Sequence, residues 1–174
     1  MGSDALYLNM QNSRLYKLDI LKELQQNDFD SLTVSERFLS EYLAFELANG
    51  RDFDVFEVLE LENESDVWRQ SGQPPDLLCA VFDNCCIEIF DRTTGDLLKI
   101  VKGLPPQYSK IQSRRLLSVA VRGDQLVVLV ELRSQTFHGP LLLYLDEKLE
   151  YGVRAQINMP QGQPGLILAA SFTD

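Results

Sequence analysis

At 174 residues the chain can fill one core and carry an extension, but it is short for two full domains. Its 45% hydrophobic and 24% charged residues are ordinary globular composition and exclude wholesale disorder. The net charge of −10 lies in the first 76 residues, where 16 acidic residues face 6 basic ones, so this part repels nucleic acid and anionic membranes and favours a basic partner.

From the N-terminus, Ala5 to Met10 and Arg14 to Ile20 flank Gln11-Asn12-Ser13 and predict a β-hairpin, with a helix running from the second arm to Gln26 as the alternative. Thr33-Val34-Ser35-Glu36 is a capping box, in which the Thr33 hydroxyl and the Glu36 carboxylate satisfy each other's free backbone amides. It predicts a helix from Val34 to Asn49, ended by a left-handed Gly50. Phe38, Leu39, Tyr42, Leu43, Phe45 and Leu47 give that helix a wide apolar surface to bury, which makes Phe38 and Tyr42 candidate partner-binding residues. Asp52 to Glu60 alternates acidic and apolar residues as a half-buried strand does, with the pattern slipping at Phe56. The polar stretch from Asn63 to Gln73 and Pro74-Pro75 then mark a boundary between an acidic segment, 1–76, and a β region, 77–174.

Beyond that boundary eight strands are expected: Leu77 to Phe82, Cys85 to Phe90, Asp96 to Lys102, Leu116 to Val121, Gln125 to Leu132, Pro140 to Leu145, Glu150 to Ile157 and Leu166 to Phe172. Short turn-forming linkers between them predict an antiparallel meander without a long helix. A weak repeat relates Leu77 to Phe82, with its Asp83-Asn84 turn, to Leu116 to Val121, with its Arg122-Gly123-Asp124 turn.

The most specific stretch is Cys85 to Val101. Cys86, Glu88 and Phe90 alternate with Cys85, Ile87 and Ile89, and Asp91-Arg92-Thr93-Thr94-Gly95 supplies the chemistry of a turn into the next apolar run. An aromatic-Asp pair before a Thr-Gly turn resembles an outer hairpin of a WD40-type β-propeller blade. The resemblance implies a mainly β, propeller-blade-like meander with a helical insertion, serving protein–protein interaction as a scaffold or complex subunit. A propeller closes with at least four blades, whereas this chain offers about two good units and partial ones at its ends. An incomplete ring would be completed by a partner chain, a second copy or the rest of a longer protein. The alternative architecture is a small α+β sandwich or barrel.

Motifs for chemistry are sparse. The sole histidine, His138, lies in a loop, and Cys85 and Cys86 are adjacent, so they face opposite sides of a strand and cannot chelate one metal. Asp28-x-Asp30 and Asp52-x-Asp54 lack the glycine and glutamate of a calcium loop, and no phosphate-cradling glycine motif is present. No catalytic residue, metal or cofactor is therefore expected. The alternative to a binding module is a carboxylate-based hydrolase using Asp52, Asp54 and Glu57. Pro105-Pro106-Gln107-Tyr108 matches the Pro-Pro-x-Tyr pattern read by WW domains, which makes Pro105, Pro106 and Tyr108 candidate partner contacts. No apolar run reaches the roughly 20 residues that span a bilayer. Together with Cys79, Cys85 and Cys86, an odd set in apolar surroundings, this leads to the expectation of an intracellular protein of the cytoplasm or nucleus.

Overall fold

The computed structural model describes residues 5–10, 13–19, 42–62, 76–111, 113–122, 125–133, 138–146 and 148–156. Within them the chain is mainly β: eleven strands form three antiparallel sheets, and no helix occurs among the described residues. The first sheet, A, joins β1 (Ala5–Met10), β2 (Arg14–Asp19) and β3 (Leu43–Glu46). Sheet B runs β4 (Val55–Glu62), β5 (Asp76–Phe82), β6 (Ile87–Asp91) and β7 (Leu97–Val101). Sheet C runs β8 (Ser113–Arg122), β9 (Gln125–Arg133), β10 (His138–Leu145) and β11 (Tyr151–Gln156). Each is a meander whose neighbours in sequence are neighbours in the sheet, and none closes on itself.

Sheet B is the middle layer, and the composition of β5 shows why. Asp76-Leu77-Leu78-Cys79-Ala80-Val81-Phe82 is apolar at every position after the aspartate, as a strand covered on both faces must be. Leu78, Ala80, Phe82 and Phe90 pack with Leu15 and Phe45 of sheet A. Leu77, Cys79, Val81, Ile87 and Ile89 pack with Leu126, Val128, Val130, Leu132, Leu141 and Leu143 of sheet C. Complete burial of one such Leu, Ile or Phe is worth about 1.5–3 kcal/mol, so the two interlayers are the main source of stability.

The hairpins explain how the layers are sealed. Between β5 and β6 the Cys85 N–H donates to the Phe82 carbonyl at 2.9 Å, and the Phe82 N–H donates to the Cys86 carbonyl at 2.9 Å. Cys85 takes φ 68°, and Leu149 takes φ 57° in the corresponding turn between β10 and β11. Glycine is the usual choice at such left-handed positions. Here both side chains are buried in the B/C core, so the conformational cost is offset by apolar burial.

Several expectations are met and others corrected. The slip at Phe56 is a register shift in the pairing of β4 with β5 between Val55 and Glu57. The first hairpin gains β3 and forms a third sheet. The expected helix from Val34 to Asn49 is not what its second half forms: Leu43–Glu46 is a strand paired with β2. Leu43, Phe45 and Leu47 also fit a period of two, and pairing with Leu15 and Tyr16 decides between the two readings. Gly50 accordingly does not take the left-handed conformation of a helix cap. The capping box and Phe38 lie outside the described residues, as does the strand expected over Leu166 to Phe172. Leu77 to Phe82 lies in the second strand of its sheet but Leu116 to Val121 in the first, so the weak repeat does not match equivalent strands. Strand β4, before Pro74-Pro75, pairs with β5 after it in one sheet.

Candidate interaction surfaces

The joint between sheets A and B is built around polar groups. Glu88 of β6 is completely buried on the side facing sheet A. Its carboxylate accepts the Ala48 N–H at 3.0 Å, the Asn49 N–H at 2.6 Å and the Asn49 side-chain amide at 2.6 Å. The buried carboxylate is thereby satisfied by the loop that leaves β3, whose exposed Ala48 and half-buried Asn49 supply its donors. Around it Phe45 meets Phe90 edge-on, ring centroids 5.5 Å apart.

At the margin of the same joint Arg92 reaches Glu60 at 2.6 Å and Asp76 at 3.0 Å, and Glu60 also accepts the Tyr7 hydroxyl. Burial, and then the bond to Glu60, raise the Tyr7 pKa. The β6–β7 turn completes the contact. Asp91 accepts the Thr93 and Thr94 amides, and Gly95, at φ 82°, sits so close to β3 that a Cβ there would lie 2.9 Å from the Ala44 carbonyl oxygen.

The joint between B and C is apolar with a few polar ties. The Tyr151 hydroxyl donates to the Cys85 carbonyl at 2.9 Å, and Lys99 donates to the Lys148 carbonyl. Cys79 and Cys85 are buried free thiols whose pKa burial pushes up to about 12, so they stay protonated and serve as apolar packing. Cys85, in the turn before β6, lies in the B/C core while Cys86 packs against the A/B core.

The sequence candidates are dispersed over this framework. Tyr42 is half-buried just before β3. Pro105-Pro106-Gln107-Tyr108 occupies the connection from sheet B to sheet C, where the Tyr108 N–H donates to the Pro105 carbonyl at 2.8 Å. The segment is therefore a turn. Pro105 is buried, Pro106 exposed, and Tyr108 packs on the B/C core with its hydroxyl bonded to Gln156. Docking as a polyproline II ligand would require this turn to unwind. Asp52, Asp54 and Glu57 are all exposed, and among the described residues no group of three His, Cys, Asp or Glu side chains is placed to hold a metal ion. His138 opens β10, its backbone paired with Arg133.

Two surfaces escape a reading by motif. Phe53 and Phe56, at the start of β4 and just before it, are about two-fifths exposed, as are Leu97 and Leu98 on β7. Among the described residues, strands β4 and β7 are the two edges of sheet B. The second surface is a cleft of about 220 Å³ lined by Arg114 and Arg115 of β8 and by Glu131 and Arg133 of β9. Arg133 pairs with Glu131 at 3.0 Å, and Arg115 stands opposite Glu131 in the strand register. The signal for this cleft was present as Arg114-Arg115, but the partner residues come from the next strand.

No family model, curated protein or solved structure matches the chain.

Proposed function

We propose that this chain is a non-catalytic protein–protein interaction module: a row of blade-like β-sheets, in the manner of a WD40-type propeller, whose open ends are covered by a partner. The observation that carries the reading is the layering. Among the described residues sheet B has a sheet on each face, while the cores seen for sheets A and C lie on the side toward B. A row of meanders that does not close leaves sheet faces and edges to be covered, and such edges invite association. Half-exposed Phe53, Phe56, Leu97 and Leu98 at the margins of sheet B give that association apolar anchors. The acidic N-terminal segment favours a basic partner by steering, and the unpaired, core-packed thiols suit an intracellular setting.

The test is recovery of the tagged full-length chain from its source cells, followed by sedimentation of what is recovered. A stoichiometric complex that weakens on Leu98→Asp or Phe56→Asp is expected. A chain that stays monomeric and turns over a substrate, with activity lost on Asp54→Asn, would support the hydrolase reading instead.

A further inference from the structure

The layering of the sheets leaves one motif unused. Pro105-Pro106-Gln107-Tyr108 carries what WW domains read: two prolines for a polyproline II segment and a tyrosine for the neighbouring pocket. The fold holds it in another shape. The Tyr108 N–H donates to the Pro105 carbonyl at 2.8 Å, and the Ile111 N–H donates to the Tyr108 carbonyl at 3.0 Å. The Ser109 hydroxyl closes the same turn on the Pro106 carbonyl at 2.8 Å. A polyproline II segment has no internal hydrogen bonds, so the two shapes exclude each other.

The recognition elements are also divided between core and solvent. Leu104 and Pro105 are buried, Pro106 and Gln107 are exposed, and the Tyr108 ring packs on the B/C core. At its outer end the Tyr108 hydroxyl donates to the Gln156 side chain. Gln156 ends β11, an edge strand of sheet C among the described residues, so this latch sits on a strand paired on one side. Pro106 and Gln107 offer a first contact, whereas Pro105 and Tyr108 come free only when the connection leaves the core.

We propose that Pro105 to Tyr108 is a latched WW-domain ligand, closed in the folded chain and captured when the connection between sheets B and C opens. The chain then binds with the affinity of the free segment reduced by the fraction of molecules that are open. A partner bearing a WW domain thereby recognises a loosened B/C connection rather than a closed one. This capture needs no open sheet edge and is independent of how the row of sheets is covered.

Calorimetric titration of a WW domain that reads Pro-Pro-x-Tyr, with the synthetic peptide Lys102 to Lys110 and with the full chain, tests this. The peptide is expected to bind saturably and to lose binding on Tyr108→Ala, and the full chain to bind about tenfold or more weakly than the peptide. Gln156→Ala in the full chain should tighten binding about fivefold, the size of one neutral hydrogen bond, and adding Tyr108→Ala should abolish it. In the complex the Tyr108 amide should lose its protection from hydrogen exchange while β5 keeps its own. A peptide that does not bind, a full chain that binds as tightly as the peptide, no gain from Gln156→Ala, or binding that survives Tyr108→Ala would each overturn the proposal. Circular dichroism melting of each variant separates release of the motif from misfolding.

Discussion

The two interlayers do the same task with different materials. Between B and C the contact is a continuous apolar layer from Leu77 to Leu145, sealed at its ends by Cys85 and Leu149. Between A and B a smaller apolar patch of Leu15, Phe45, Phe82 and Phe90 is combined with buried Glu88 and the Arg92–Glu60–Asp76 cluster. Apolar burial is additive and forgiving in detail, whereas a buried carboxylate demands every one of its donors. The B/C joint should therefore set the stability of the fold, and the A/B joint its register.

The largest expected effect is in the apolar joint. Leu141→Ala at a fully buried position should cost about 2–5 kcal/mol, read by denaturant unfolding, and should lower the stability of sheets B and C together. A loss below 1 kcal/mol would mean that the B/C layer is not the principal core.

Glu88→Ala comes next, at about 3 kcal/mol, because it removes three charged hydrogen bonds that tie the loop after β3 to sheet B and leaves a void where the buried side chain stood. Its signature differs from that of Leu141→Ala. Hydrogen exchange should rise in β2 and β3 while the amides of β9 and β10 keep their protection. Equal loss across all three sheets would erase the distinction between the joints.

Gly95→Ala probes the same joint from the turn. A side chain at φ 82° with its Cβ 2.9 Å from the Ala44 oxygen should cost about 2 kcal/mol, again confined to sheet A's contact. At neutral pH the smallest effect concerns the thiols, which matter only in alkali. Cys79 ionises near 9 when unfolded but is pushed up to about 12 by burial, so between these values the unfolded chain has lost a proton that the folded chain keeps. Stability must then fall as pH rises from 9 towards 12, and the fall should be shallower in Cys79→Ala. An unchanged slope would place the alkaline sensitivity elsewhere.

Much of the B/C half was legible because its signals are local. Continuous apolar runs such as Leu77 to Phe82, and turns such as Asp91 to Gly95, determine strands whatever surrounds them. Leu43 to Leu47 was misread as helix because a short apolar run fits both periods, and its partner strand β2 lies far away in sequence. The role of Glu88 was hidden for the same reason, since its donors at Ala48 and Asn49 come from another sheet. The arginine cleft depends on the β8–β9 register, which residue spacing alone does not reveal.

The central claim, that this open row of sheets is covered by a partner, is tested most directly by hydrogen exchange on the chain alone and in the complex recovered from its source cells. The account predicts that amides of the edge strands β4 and β7 exchange readily in the isolated chain and are protected in the complex, while β5 is protected in both. Slow exchange of both edges in an isolated, monodisperse monomer, with no added protection among recovered proteins, would contradict it.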